Sequence, residues 1–195
     1  MTRKIVLALA LLPLSACIKF GSEPPPSLLT LAPAAKVPVG ETRRAAEGAS
    51  PIVIAVPGVP QELATTRVPV HSDANTVAYL KDAQWVEQPA RLFARVLGDT
   101  IAARTGRLVL TPRQAISDPG VQLGGELLAF GIDAQTSEAV VTYDASLQRP
   151  GAKGYEKRRF EARLPVAELT PLLVSQALDT AANRVAGEVA DWVGR

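Results

Sequence analysis

The chain of 195 residues is 47% hydrophobic, which is enough to form one domain of ordinary size with a substantial core. It carries 21 Lys and Arg residues against 19 Asp and Glu residues, and two of the basic ones, Arg3 and Lys4, lie in an N-terminal segment that we expect to be removed. The balance that remains argues against a nucleic-acid-binding protein, which would show a basic excess. The single cysteine excludes an internal disulfide bond.

The first seventeen residues have the pattern of a bacterial lipoprotein signal. An apolar run from Ile5 to Leu12 follows the two basic residues and is too short to cross a membrane as a helix, which needs ~20 residues. Leu14-Ser15-Ala16-Cys17 then matches the lipobox, in which the cysteine is acylated and the signal is cut before it. We therefore expect residues 1–16 to be a signal peptide and Cys17 to be lipidated.

The alternative, that Cys17 is a buried apolar residue, would need a folded domain around it, and the flanking sequence predicts none. Stable anchoring takes more than one acyl chain, at ~0.8 kcal/mol per buried CH₂ group, and a triacylated cysteine would meet that requirement. Ile18 stands where an Asp would be expected in a retained lipoprotein. By resemblance to the sorted lipoproteins of Gram-negative envelopes, this favours the periplasmic face of the outer membrane.

Residues 17–50 are predicted to be a lipidated tether with one short strand. Pro24-Pro25-Pro26 favours an extended spacer. Ser27–Leu31 is predicted to be the strand, and residues 34–50, which show no usable period, are predicted to be a loop. Such a tether would hold the rest of the chain away from the membrane surface.

The folded body is predicted to begin with strands. Pro51–Val56 is a nearly continuous apolar run, which is typical of a strand buried on both faces. Arg67–His71 and Thr76–Leu80 are predicted to pair as a hairpin around a turn at residues 72–75. Pro69 predicts that the first of these strands lies at a sheet edge, because proline has no N–H to donate.

An amphipathic helix is predicted within Trp85–Gly106. Pro89 suits its first turn, where a missing N–H costs nothing, and Gly106 suits the position after its end, where positive φ is needed. The pattern leaves two interpretations open: a core helix with a tryptophan staple, or a partner surface that includes Trp85 and the arginines. One face carries Leu92, Phe93, Val96, Leu97 and Ile101, and the opposite face carries Arg91, Arg95, Asp99 and Arg104.

More strands are predicted after this helix. A short one covers residues 108–110, and a long apolar one covers residues 121–132, with a bulge or bend at Gly124-Gly125. Residues 141–148 and 159–164 alternate between apolar and polar side chains, as half-buried antiparallel neighbours do.

A second amphipathic helix closes the chain, with Thr170 as its cap and Pro171 in its first turn. Together these elements predict an α+β domain over residues 51–195. We expect a mostly antiparallel sheet with the two amphipathic helices packed on one face.

The sequence contains few candidate catalytic residues. A zinc site would need more ligands than His71, and Ser72 and Asp73, which follow it directly, would not converge with it as a triad. We therefore expect no catalytic residue, no metal and no cofactor. The charged run at residues 156–159 is interpreted as a solvated strand face rather than as a patch for lipid headgroups.

Three pieces of the sequence together resemble one protein family. The first piece is the lipobox followed closely by Leu28–Pro33, and the second is the apolar strand Ile52–Pro57, ahead of the region from Leu63 to Tyr79. The most specific piece is Trp85-Val86-Glu87-Gln88-Pro89-Ala90-Arg91-Leu92, which is followed by Thr105-Gly106. In this order the pieces resemble the ABC-type transport auxiliary lipoproteins, the PqiC-like proteins, over nearly the whole mature chain.

The resemblance implies a non-enzymatic envelope component. Its partners would be an ABC ATPase, a permease and an MCE-domain protein that together move lipids or other apolar molecules between the two membranes. The lipoprotein would dock this assembly at the outer membrane, with a homo-oligomeric ring as one arrangement. Trp85, Pro89, Arg91 and Phe93 would serve as a partner interface or as a structural motif.

Two other classes remain open. A structural lipoprotein of another outer-membrane machine, for secretion or lipopolysaccharide export, would copurify with that machine instead of an ABC complex. A small anchored hydrolase would need a convergent Ser/His/acid site or a pair of carboxylates.

Overall fold

The computed structural model describes residues 27–40, 50–115 and 120–194. Within these residues the chain forms two long helices, α1 (Pro89–Thr105) and α2 (Pro171–Val193), and a seven-stranded mixed sheet. A single turn of 3₁₀ helix lies at Gln61–Leu63. The strands in chain order are β1 (Ile52–Ile54), β2 (Arg67–Asp73), β3 (Thr76–Gln84), β4 (Val109–Leu110), β5 (Val121–Asp133), β6 (Glu138–Gln148) and β7 (Glu156–Pro165).

The long strand β5 organises the sheet. β6 pairs antiparallel with it along almost its whole length, from Gln122 opposite Gln148 to Asp133 opposite Glu138. On its other edge, β1 runs parallel to the first residues of β5, and β2 runs parallel to the last ones. β4 pairs parallel with β1, β3 antiparallel with β2, and β7 antiparallel with β6. The sheet is therefore mostly but not purely antiparallel.

Both helices pack on the same face of this sheet. Phe93 of α1 contacts the ring of Tyr143 on β6 edge to face, with ring centroids 5.2 Å apart. Trp192 of α2 contacts the ring of Phe160 on β7, with centroids 5.6 Å apart. Tyr143 and Phe160 are directly paired across the β6–β7 ladder, so both contacts lie on one side of the sheet. The predicted α+β class, with two amphipathic helices on one face of a largely antiparallel sheet, is confirmed.

The helix ends have the capping and terminal residues that the sequence predicts. Pro89 occupies the first turn of α1, and Gly106 after its end has φ of 67°, with its N–H donating to the carbonyl of Ala102 at 3.2 Å. At the start of α2, the hydroxyl of Thr170 accepts from the N–H of Leu173 at 3.4 Å. Neither helix is long and apolar enough to span a membrane, and the same holds for the rest of the described chain.

The prediction that Pro69 places its strand at a sheet edge is wrong. β2 lies between β3 and β5, and the edge is formed by β3. The register between β2 and β3 shifts between Arg67 and Pro69, and the ladder to β5 begins only at Val70, after the residue that cannot donate. Gly131 of β5 allows the close approach, because a Cβ there would lie 2.5 Å from the carbonyl oxygen of Pro69.

The irregularity in β5 also differs from the prediction. The register shift lies between Leu127 and Ala129, whereas Gly124 and Gly125 pair with β6 in regular register. Gly125 instead has φ of 138°, and a Cβ at this position would lie 2.0 Å from the carbonyl oxygen of Asp144. The glycine is needed for close approach of the β6 backbone.

The predicted strand at Ser27–Leu31 is reduced to a single bridge. Leu29 pairs with Trp85, its N–H donating to the carbonyl of Gln84 at 2.7 Å. The segment touches the end of β3 at this one point and then continues to α2, so no ladder forms. Leu31 is buried in the core. Part of the segment expected to be a tether therefore lies against the folded body.

Candidate functional site

Trp85 lies in the core where the N-terminal segment, the end of β3 and the start of α1 meet. Its side chain is 1% exposed, and its ring contacts that of Phe130 edge to face at 5.4 Å. Its backbone N–H donates to the carbonyl of Thr66 at 2.7 Å, and its backbone also forms the bridge to Leu29. The indole N–H has no hydrogen-bond partner in the described part of the chain. The buried Trp85 thus links the N-terminal segment, the end of β3 and the start of α1 within the core.

The residues between Trp85 and α1 set the direction of the helix. The side-chain amide of Gln88 donates to the carbonyl of Ala64 at 2.8 Å and ties the loop before α1 to the segment after the 3₁₀ turn. Pro89 is buried in the first turn. Glu87 forms an ion pair with Arg95, which lies two turns further along the chain. Most of the motif that resembles the family therefore positions the helix.

Phe93 is fully buried on the inner face of α1, where it contacts Tyr143. The phenol of Tyr143 donates to the carbonyl of Gly124 at 2.6 Å. Burial raises the pKa of Tyr143 above its ordinary value of 10.0, because the charged phenolate would lose its hydration. The hydroxyl therefore remains a neutral donor, and this pair of rings holds α1 to the middle of the sheet.

A groove of about 370 Å³ runs between the outer side of α1 and the sheet edge formed by β1 and β4, and we call it the α1 groove. Its floor is mostly apolar, and Val56, just after β1, is 55% exposed there. The groove is lined by Ile54, Val56, Ala94, Gly98, Val109, Leu110 and Thr111 along the floor and by Glu87, Arg91, Arg95 and Asp99 along the rim.

The rim of the α1 groove carries one unpaired cation and one unpaired anion among the described residues. Glu87 and Arg95 neutralise each other as an ion pair. Arg91 and Asp99 are exposed and form no ion pair with any residue that the structure describes. The guanidinium of Arg91 is thus available above an apolar floor, and it is the one exposed member of the set Trp85, Pro89, Arg91 and Phe93.

Gly98 keeps the α1 groove open. A Cβ at this position would lie 3.6 Å from Cγ1 of Val109 and 3.9 Å from Cδ1 of Ile54, which are ordinary van der Waals distances. A longer side chain would extend into the groove. No sequence pattern predicts this role, because a glycine inside a helical pattern indicates only weaker helix propensity.

A second feature that sequence reasoning missed lies on α2. Asp179 accepts from the N–H of Ala32 at 2.8 Å, and Asn183 accepts from the N–H of Ala34 at 2.7 Å. The side-chain amide of Asn183 also donates to the carbonyl of Ala32 at 2.9 Å. These two polar residues, one helical turn apart, bind the backbone of the N-terminal segment and hold it along the helix.

His71 lies apart from the α1 groove. Its Nε2 is 3.2 Å from a carboxylate oxygen of Glu62, and it borders a cavity of about 290 Å³ that Asp73, Asp133 and Arg163 also line. Within the described ranges, no three His, Cys, Asp or Glu side chains come together as a metal site would require. Cys17, the expected site of lipidation, lies outside the described residues.

Residues 30–190 match the family model described as the ABC-type transport auxiliary lipoprotein component. The fold is similar to the crystal structure of protein XCC0632 from Xanthomonas campestris, of the family model DUF330, with a TM-score of 0.71 and 15% identity over 86% of this chain and 94% of that one. A second solved structure, of an uncharacterized protein, has a TM-score of 0.64 and 13% identity over 73% of this chain and 92% of that one.

At 15% and 13% identity the two solved structures show a shared fold. The search of curated proteins found no significant match. The family model, in contrast, covers most of the chain, including the motif around Trp85 and both helices. The chain therefore belongs to the family of ABC-type transport auxiliary lipoprotein components.

Proposed function

We propose that this chain is a non-enzymatic periplasmic lipoprotein that docks an ABC transport system with an MCE-domain subunit at the outer membrane. The cargo would be lipid or another apolar molecule. Family membership supports the association with an ABC transport system. The lipobox ending at Cys17 supports the anchor, and Ile18 after it supports sorting to the outer membrane.

The exposure of Arg91 is the single observation that links membership of the family to a specific binding surface. The motif around it is otherwise largely committed to the core, since Trp85, Pro89 and Phe93 are buried. An exposed guanidinium without an intramolecular partner is not explained by stability. Arginine beside apolar surface is, in contrast, typical of binding hot spots. We therefore assign the α1 groove as the surface that meets the transport partner.

The partner that fits the α1 groove is a protein segment with apolar side chains for the floor and a carboxylate for Arg91. Such a carboxylate would form a charge-assisted, bidentate pair with the guanidinium. The partner would also cover Val56, whose 55% exposure leaves apolar surface in water. We propose that the MCE-domain protein supplies this segment.

The test is capture of the MCE-domain protein, with its ATPase and permease, from detergent-solubilised envelopes by the tagged lipoprotein. We expect Arg91→Glu to reduce capture at least about tenfold, as loss of a hot-spot residue does. Gly98→Met should also reduce it, because the new side chain would occupy the groove. Arg184→Glu is the matched control, since Arg184 is exposed on α2 and forms no ion pair in the described chain.

Absence of any MCE-domain protein in the capture by the unchanged lipoprotein would contradict the proposed function. Equal losses for Arg91→Glu and Arg184→Glu would instead contradict the assignment of the α1 groove while leaving the docking role standing.

A further inference from the structure

The β6–β7 hairpin ends in a fully exposed tip. Every residue from Pro150 to Arg159 is exposed, and Tyr155 within it is 66% exposed. Tyr155 is the one aromatic among the exposed large hydrophobic side chains of the described residues. Most of an amphipathic ring, apolar in its body and polar at its hydroxyl, is therefore in water at the end of the hairpin.

The same tip concentrates positive charge, although the basic and acidic side chains after residue 16 are equal in number over the whole chain. We call residues 149–158 the basic tip, since they contain four basic side chains and one acidic one. Arg149 and Glu156 pair with each other at 2.8 Å. Lys153, Lys157 and Arg158 form no ion pair with any described residue, although the Arg158 guanidinium lies 4.9 Å from the ring centroid of Phe160.

The basic tip is held in place by the strands below it. Leu147 on β6 pairs with Glu156 on β7, and Arg159 binds both carboxylate oxygens of Asp144 across the ladder, at 2.5 and 2.6 Å. The turn itself uses Gly151 at φ of 77°. The three unpaired cations and Tyr155 are therefore presented on a supported hairpin.

The placement of the cations distinguishes between two kinds of anionic partner. Lys157 and Arg158 are consecutive residues of a strand, so their side chains leave opposite faces of the hairpin. A flat acidic protein surface could meet only one of these faces. A layer of lipid headgroups would surround the tip and offer phosphate groups on both sides, with the tyrosine ring at headgroup depth.

We propose that the basic tip inserts into the headgroup layer of an anionic phospholipid membrane, the same membrane that carries the Cys17 anchor. This replaces the interpretation of residues 156–159 as a solvated strand face, because the structure places Lys153 and the exposed Tyr155 beside them at one hairpin tip. This inference rests on the proposed lipid anchor. The ten residues from Ile18 to Ser27 can span at most roughly 35 Å, which keeps the body within about its own diameter of the surface. Anchor and tip together would fix the orientation of the body, and hence of the α1 groove, relative to the membrane.

The experiment uses the full mature lipoprotein in vesicles. Ala152→Cys places a thiol in the exposed tip for an environment-sensitive dye, and the acylated Cys17 offers no competing thiol. Thr136→Cys, in the exposed β5–β6 turn, gives the reference label. Vesicles are made of phosphatidylcholine alone or with phosphatidylglycerol, and brominated lipids report contact by quenching.

We expect the tip label to be quenched in vesicles that contain phosphatidylglycerol and much less in pure phosphatidylcholine. The triple variant Lys153→Gln, Lys157→Gln and Arg158→Gln should lower the ratio of inserted to free tip on the order of 100-fold, since each cation near an anionic surface contributes about fivefold. The matched variant Lys36→Gln, Lys81→Gln and Arg184→Gln removes the same charge from other exposed positions and should leave quenching unchanged.

A lipoprotein that floats with the vesicles but shows no quenching at the tip would overturn this inference alone. Equal quenching in the two triple variants would also overturn it. So would an unquenched tip whose three cations are instead needed to capture a partner protein. A protein that does not float would overturn both this inference and the proposed anchor.

Discussion

Trp85 is the largest fully buried side chain among the described residues, and it is buried without a partner for its indole N–H. Leaving such a donor unpaired costs free energy, typically about 1–3 kcal/mol. The burial of the ring in the core, including its contact with Phe130, must exceed that cost. At this position the size and shape of the side chain matter, and its polar atom forms no hydrogen bond with residues 27–40, 50–115 or 120–194.

This balance predicts how Trp85 tolerates substitution. Trp85→Ala should lower the free energy of unfolding by about 3–5 kcal/mol, because it removes a whole buried ring and leaves a cavity. Trp85→Phe should cost clearly less, since the phenyl ring retains much of the contact and no hydrogen bond is lost. Urea unfolding followed by circular dichroism measures both. A loss in Trp85→Phe as large as in Trp85→Ala would show that the indole N–H is bound after all.

At the scale of secondary-structure elements, the sheet face away from the helices is stabilised by ion pairs across strands. Arg159 of β7 holds Asp144 of β6, and this hydrogen bond lowers the pKa of the Asp144 carboxyl. Arg163 binds Glu161 on its own strand and also reaches Glu138 and Asp133. The bond from Arg163, and a second one from Thr142, lower the pKa of Glu161. One face of the sheet is thus covered by charge rather than by a second layer of helices.

These pairs predict a dependence of stability on pH. A carboxyl whose pKa is lower in the folded chain contributes stability that is complete above its unfolded pKa, here 3.8 for Asp144 and 4.5 for Glu161, and is lost as the pH falls through the folded pKa. The free energy of unfolding should therefore fall from about pH 5 downward. Arg159→Met and Arg163→Met should each make this fall shallower, because the carboxyl pKa values return towards their unfolded values.

Lys81→Met is the control for these two variants, because Lys81 is exposed and forms no ion pair in the described chain. Urea titrations at several pH values between about 3 and 7 give the slopes. Slopes for Arg159→Met and Arg163→Met equal to that of Lys81→Met would show that these surface pairs are too well screened to matter.

On the scale of the whole molecule, local signals predicted the elements and nonlocal contacts decided their arrangement. Pro89 and Gly106 mark the helix ends by their own backbone chemistry, so both were found from the sequence. The internal position of the strand with Pro69 depends on which strand pairs with it, and no local pattern encodes that. Asp179 binds backbone 147 residues away in sequence, which a helical pattern cannot reveal.

The candidate site likewise combines a part that the sequence predicts with a part that depends on nonlocal packing. The motif from Trp85 to Leu92 was visible in the sequence, but burial separates its members, and Arg91 is exposed while Trp85 and Phe93 are core. The α1 groove brings Arg91 together with Val56, which follows β1, and with Gly98, which lies further along α1. Such a surface exists only once α1 has packed beside the sheet edge, so it could not be predicted in advance.

The proposed anchor and docking role both depend on acylation of Cys17, which mass spectrometry of the protein purified from envelopes tests directly. We predict a polypeptide that begins at Cys17, with lipid attached to both its sulfur and its amino group, and a precursor that accumulates under globomycin. Cys17→Ala should no longer fractionate with membranes. A soluble polypeptide with an unmodified thiol at Cys17 would contradict the account.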